Sequence, residues 1–332
     1  MFSVARFVVG AVCILVVGLP TMPTTAGVRI AFASHRDGNW EIYVMDVDGR
    51  RQTRLTTRGE QDRFPLWSPD GSKLAFGSQV GRGWELWVMG ADGTNPRHLC
   101  SHISAKGSRS WSPDGRRIAL AAAIDGDLEI YSVEVDGTRL TRLTTSAGDD
   151  RDPSWSPDGK SIVFSSTRDG NSEIYVMNAD GSAPRRLTNN AAPDESPTWS
   201  PDGSAIAFVS PRDSSRDLYL VSSDGQRLER LTLGAGATRD MPHWSPDGSR
   251  IAFQVARGDN YDIELVQIAG HRRFRLADSP AYDGMYTWSP DGTRIAFISS
   301  RDGPDAVYVT GADGERPRRL TTASSLNPVW SP

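Results

Sequence analysis

The sequence holds very little cysteine: two residues, Cys13 and Cys100, in a chain of 332. Two cysteines cannot staple a loop-rich scaffold, so a disulfide framework is excluded. It also lacks an excess of basic charge. Lys+Arg 37 against Asp+Glu 41 gives a net charge of −4, without the basic footprint that bulk nucleic-acid binding requires. Beyond the N-terminal segment there is no long apolar run, so no membrane span is expected in the mature chain. No segment sustains a 3.6-residue apolar period, and almost no helix is expected. There is no Gly-x-Ser-x-Gly elbow, which excludes a self-contained α/β-hydrolase. No Gly-x-Gly-x-x-Gly leads a strand into a helix. The five histidines, His35, His98, His102, His243 and His271, show no metal-ligand spacing, so neither a metal site nor a cofactor is expected.

The first residues are of a different kind. Arg6 precedes the apolar run Phe7–Leu19, and Pro20 and Pro23 break it before the small residues Thr24-Thr25-Ala26. A basic start, a short apolar core and a small-residue exit read as a secretory signal peptide over residues 1–26. Val12 does not fit the residue before a lipidated cysteine, so Cys13 is read as part of the apolar run. Residues 27–332 then form the mature chain, exported to the periplasm, the cell envelope or the extracellular space.

What is abundant is tryptophan, ten in all, and seven of them mark one repeated position. Trp-Ser-Pro-Asp-Gly begins at Trp67, Trp111, Trp155, Trp199, Trp244 and Trp288, and Trp330-Ser-Pro ends the chain. The intervals are 44 residues, with one of 45 and a last of 42. A second series runs in step, from Ile30-Ala-Phe through Leu74-Ala-Phe to Ile295-Ala-Phe. A third is of the type Glu41–Met45, and a fourth of the type Arg54–Thr56. Such a period is the mark of a repeat architecture.

Each unit holds four short runs rich in aromatic and branched residues, here called strands A (ending at the Trp), B (Ile-Ala-Phe), C (Ile-Tyr-Val) and D (Arg-Leu-Thr). Ser-Pro-Asp-Gly between A and B sets proline and glycine where a tight turn needs them. Asp-Gly pairs such as Asp136-Gly137 separate C from D, as in a hairpin. Four antiparallel strands per unit, repeated around an axis, predict an all-β, seven-bladed β-propeller. The mature chain begins at a B strand, Val28–Phe32, and finishes on an A strand, Leu326–Trp330. Pairing of that C-terminal strand with the first N-terminal one is expected to close the ring and remove its exposed edges.

These motifs resemble the TolB-type propeller repeat, a WD-like repeat of bacterial envelope proteins. Pro153–Thr188 carries the pattern nearly intact, and the resemblance extends over roughly residues 28–332. It implies a propeller and an envelope setting. TolB pairs a smaller α/β domain with six blades, whereas this sequence has seven units and no room for that domain.

In a propeller, function resides in loops grafted on the scaffold. The A–B and C–D turns repeat and share one face. The B–C and D–A loops share the other face and differ between blades: His35–Trp40, Val80–Trp84 and Pro211–Arg216 occupy one position. The unlike loops are where a specific partner is expected to dock. Five residues before the repeat Trp stand Asp62, Asp150, Asp194 and Asp283, and Asp240 lies four before its Trp. Arg63, Arg151 and Arg239 accompany three of them, while Asp152 and Glu195 add charge; Lys106 and Ser325 depart from the pattern. Preceding the innermost strand, these residues form either an acidic ring around the channel mouth or acceptors in the turn before strand A. His243 and Tyr286 interrupt the inner-strand pattern, as does Arg109 at a position that is Pro65, Pro153, Pro197, Pro242 or Pro328 elsewhere. Trp40 and Trp84 begin C strands near the same face, available to stack on a ligand or to pack a blade edge. Cys100 stands where other units have Thr56, Thr144, Thr188 and Thr321, as a small outer-strand residue.

The function expected is that of a non-enzymatic, monomeric binding module for a protein or peptide of the cell envelope. The alternative is an enzyme, or a carbohydrate- or calcium-binding protein, using an acidic channel mouth.

Overall fold

The Ser-Pro-Asp-Gly turns come first, because their chemistry is local. Asp70 Oδ1 accepts the Ser68 hydroxyl at 2.6 Å and the Ser72 amide at 3.0 Å, and the Gly71 amide closes on the Ser68 carbonyl at 2.9 Å. Asp114, Asp158, Asp202, Asp247 and Asp291 accept the same serine hydroxyl and main-chain amide in their turns. Each such turn reverses the chain and fixes the register of strands A and B.

The strands follow. A computed structural model describes residues 27–332 except 105–107, 125, 213–214, 234–237, 278 and 315–316. The expected signal segment, with Cys13, and Lys106 lie outside the described residues. There are seven sheets of four antiparallel strands, each in the order A-B-C-D. The only helical element among the described residues is a 3-10 turn at Ala269–His271. The fold is the seven-bladed propeller that the repeat predicts. Its closure is also as expected: Ser325–Trp330 pairs antiparallel with Arg29–Ser34, matching Ile30 to Trp330 and Ser34 to Ser325. No described helix is long and apolar enough to cross a membrane.

Strands B and C are buried on both faces, so they read as continuous apolar runs rather than alternating ones. The core lies between blades. Ala31, Ile42 and Val44 of the first blade pack on Trp67, Leu74, Phe76 and Met89 of the second. Phe32, Phe76, Phe164, Phe208, Phe253 and Phe297 are all fully buried, each contributing roughly 1.5–3 kcal/mol by burial. Four of the repeat tryptophans, Trp67, Trp111, Trp244 and Trp288, join neighbours with a hydrogen bond as well. Trp67 Nε1 donates to the Val329 carbonyl at 3.2 Å, and Trp288 Nε1 to the His243 carbonyl at 3.1 Å.

Strand A faces the axis and is bent there. In six blades the third residue before the Trp has a positive φ: Phe64, Asp152, Ser196, Met241, Met285 and Asn327, between 49° and 58°. The A–B register slips at that point in each. A bulge re-aims side chains at a sheet edge, and here it sets those around the channel mouth.

Candidate functional site

The expected acidic ring is not a free surface. Asp62, Asp150, Asp194 and Asp283 are each 0% exposed, packed behind the mouth. An arginine reaches each one. Arg168, Arg212 and Arg301, from the B–C loops, lie 2.9, 2.6 and 2.9 Å from Asp150, Asp194 and Asp283. Each also donates through Nε to the last serine of strand B, Ser166, Ser210 or Ser299, and stacks over the C-strand tyrosine. Burial raises the carboxyl pKa of Asp62 and Asp194, against the lowering effect of their hydrogen bonds. These four aspartates are parts of the scaffold. Sequence reasoning missed the arginines, although a signal was present for three: Arg168, Arg212 and Arg301 each follow their aspartate by 18 residues, while Arg58 precedes Asp62 by four.

The sixth blade inverts this arrangement. Its longer interval places Arg239, not an acid, five residues before the Trp. Arg239 is 2% exposed and lies 2.7 Å from Asp217 in the fifth blade. Asp240 is thereby left at the rim, where Arg216 spans it at 3.4 Å and Glu195 at 2.7 Å. Asp152 accepts the amide and hydroxyl of Ser108, at 3.3 and 3.2 Å, and burial raises its pKa. Arg151 is exposed and pairs with Asp149 at 2.6 Å. Every rim carboxylate named from sequence therefore has a partner already.

The axis holds a cavity of about 280 Å³, walled by Ser108, Arg109, Ser110, Ser154, Thr198 and His243, with Met241 and three prolines among the remaining wall residues. His243 is open to this space, and the protein around it lowers its imidazole pKa to about 4. Tyr286 is not on the wall. It is buried behind His243, ring centroids 5.3 Å apart, with its hydroxyl donating to the Met241 carbonyl. Arg109 replaces proline on the wall. Its guanidinium donates to the Ser104 carbonyl at 3.3 Å and lies 5.5 Å over the Phe64 ring, which in turn sits 5.3 Å from Trp84. Gly77 makes room for this group: a Cβ there would lie 3.2 Å from Trp84, 3.4 Å from Phe64 and 3.5 Å from Arg109.

Arg63 stacks on Trp40 at 4.6 Å and donates to Gln61. Trp87 lies under Arg58 at 3.6 Å in the place of the C-strand tyrosine. Cys100 is buried in the second blade's core, and burial pushes its thiol up to about 12. Among the described residues no three His, Cys, Asp or Glu side chains gather as metal ligands would.

Two parts of the chain match known families: residues 123–217 the Tricorn protease N-terminal beta propeller domain, and residues 236–332 the TolB beta propeller domain. Among curated proteins none matches the sequence. Solved structures do. TolB from Acinetobacter baumannii is 20% identical with a TM-score of 0.61, over 92% of this chain and 66% of that one. A putative TolB from Agrobacterium tumefaciens is 24% identical with a TM-score of 0.59, over 86% and 98%. An oligogalacturonate lyase in complex with manganese is 18% identical with a TM-score of 0.69, over 85% of each chain. This chain thus spans just under two thirds of the Acinetobacter TolB. At these identities the likeness is one of fold.

Proposed function

We propose that this chain, a TolB-like β-propeller by repeat and by fold, is a non-enzymatic binding module that docks a protein or peptide segment over its channel mouth. The observation that carries the reading is the contrast between the two faces. One face repeats a single self-satisfied turn six times, and its aspartates are occupied by their own serines and amides. The other surrounds a central cavity whose wall repeats proline and serine but breaks that pattern with Arg109, Met241 and His243. A surface that discriminates between partners needs such unequal chemistry. The apolar N-terminal run and the envelope character of the repeat favour an exported protein, working as a monomeric ring in the envelope. The cavity is sized for one or two side chains, which favours insertion of a peptide segment over flat docking of a domain.

A photo-crosslinking residue at Met241, 50% exposed on the rim, is expected to capture a discrete partner in envelope extract of the source bacterium. The same residue at Lys160, on the opposite face, is expected to capture none. Equal capture from both positions overturns the reading. So does turnover of a glycan or peptide by the purified protein.

A further inference from the structure

The charges around the channel are unevenly matched. Asp152, Glu195 and Asp240 each have a partner, as do the four buried aspartates. Arg109 does not have one of opposite sign: among the described residues its contacts are a single main-chain carbonyl and the face of Phe64, and its Nε has no acceptor. A guanidinium enclosed by protein without a carboxylate is costly, and a chain that only needed to pack this position has proline available, as five other blades show. The wall beside Arg109 carries Ser110, Ser154 and Thr198, hydroxyls that can donate to an oxyanion. Phe64 and Trp84 form an aromatic shelf on its other side, in the hollow that Gly77 leaves. Arg63 adjoins Phe64 and has no carboxylate among the described residues either.

We infer that Arg109 is the anchor of a carboxylate subsite in the channel, which receives an acidic residue or the C-terminal carboxylate of a peptide segment, with an adjoining apolar residue on Phe64 and Trp84. This rests on the binding-module reading and names the chemistry of its partner. A bidentate guanidinium–carboxylate pair in an enclosed site combines charge with orientation. The cavity of about 280 Å³ admits a side chain or a chain end, not a longer run of polymer.

The test uses the intact protein and defined probes in titration calorimetry. The first pair is an acetylated, amidated tetrapeptide Ala-Glu-Phe-Ala and its glutamine counterpart. The second is Ala-Ala-Phe with a free terminal carboxylate and its amide. Trigalacturonate supplies the same carboxylate on sugar. The expected result is saturable binding of one acidic peptide and at least about tenfold weaker binding of its neutral twin. Arg109→Gln is expected to abolish that difference, Arg109→Lys to restore part of it, and rising salt to weaken it. The wild-type comparison of charged with neutral probe stands even where a variant folds poorly. Equal affinity for the two members of both pairs, no saturation at millimolar peptide, or a preference unchanged in Arg109→Gln overturns the inference. Binding of trigalacturonate alone overturns the peptide assignment. Crosslinking at Met241 that persists in Arg109→Gln leaves the binding-module reading standing while the carboxylate subsite fails.

Discussion

Arg58 reaches Asp62 from the loop that enters its blade, whereas Arg168 reaches Asp150 from the hairpin between strands B and C. At the position of Arg168 the second blade has Val80. Arg58 fills the vacancy: it donates to Ser78 at 2.9 Å, lies 3.4 Å from Asp62 and stacks 3.6 Å over Trp87. The same ternary arrangement of serine, acid and aromatic ring is thus built from a different part of the chain. A requirement met by two routes is a requirement of the blade itself, since a buried carboxylate without a cation is heavily penalised.

Removing the cation is therefore expected to destabilise the fold rather than to alter docking. Arg168→Ala leaves Asp150 buried and unpaired and is expected to cost about 3–5 kcal/mol. Asp150→Ala in the same chain should recover part of that loss, giving a favourable coupling energy in a double-mutant cycle followed by urea unfolding. Arg58→Ala and Asp62→Ala should behave alike. Additive losses in both cycles contradict the scaffold assignment of these aspartates.

Acid stability follows from the opposite face. Serine hydroxyls and main-chain amides hold Asp70, Asp247 and Asp291 down to about 2, from an ordinary 3.8. A carboxyl with a depressed folded-state pKa contributes stability that is present above its unfolded value and lost as pH falls through its folded one. The melting temperature is expected to fall between about pH 4 and pH 2 for this reason. Asp62 and Asp194 act in the other direction. Their raised values mean that protonation relieves a burial cost, so mild acidification towards pH 4 should not weaken the fold through them. Asp247→Asn should lower the melting temperature at neutral pH and flatten its fall below pH 4. A parallel fall in wild type and variant would count against the turn aspartates as the cause.

The fold was open to a reader of the sequence because the repeat fixes it seven times over. Trp330 and Ile30 stand at the two ends of the A and B series, and they pair with each other. The site was legible only in part. Asp62, Asp150, Asp194 and Asp283 stand out as a series, but a series shows equivalence of position and says nothing of burial. For the last three the deciding information was the arginine 18 residues on, in a loop that reads as variable. The first blade shows the converse. Ser325 replaces the acid there, and Arg36 is left bonded to Ser34 at 3.1 Å and stacked on Tyr43 at 4.4 Å. Arg109 was visible as a break in a row of prolines. That no carboxylate among the described residues reaches it depends on neighbouring blades and has no trace in a single unit.

Tyr286 is another such break, and its role is packing. Its hydroxyl donates to the carbonyl of Met241, a bulge residue with φ of 53°, and it backs the His243 ring on the channel wall. Tyr286→Phe removes the donor and leaves a carbonyl unsatisfied, an expected loss of about 1–3 kcal/mol. Because His243 rests on this ring, its imidazole resonances in NMR should shift in the variant. Unchanged stability together with unchanged His243 resonances would separate Tyr286 from the channel wall.

Gly181 and Gly170 distinguish strain from contact. Both have positive φ, 87° and 106°, where a side chain is unfavourable. At Gly170 nothing lies within 4 Å of a prospective Cβ. At Gly181, in the turn between strands C and D, that Cβ would stand 2.6 Å from the Leu143 carbonyl oxygen and 3.1 Å from its Cα, main-chain atoms of the preceding blade. A backbone neighbour cannot rotate away, so the two blades would have to part. Gly170→Ala is expected to cost about 1 kcal/mol, from backbone conformation alone. Gly181→Ala carries that cost and an overpacking cost of roughly 1–3 kcal/mol. Equilibrium unfolding of the two variants side by side checks the difference. Equal losses would mean that the blade interface yields freely at this turn, contrary to the close main-chain approach seen between Gly181 and Leu143.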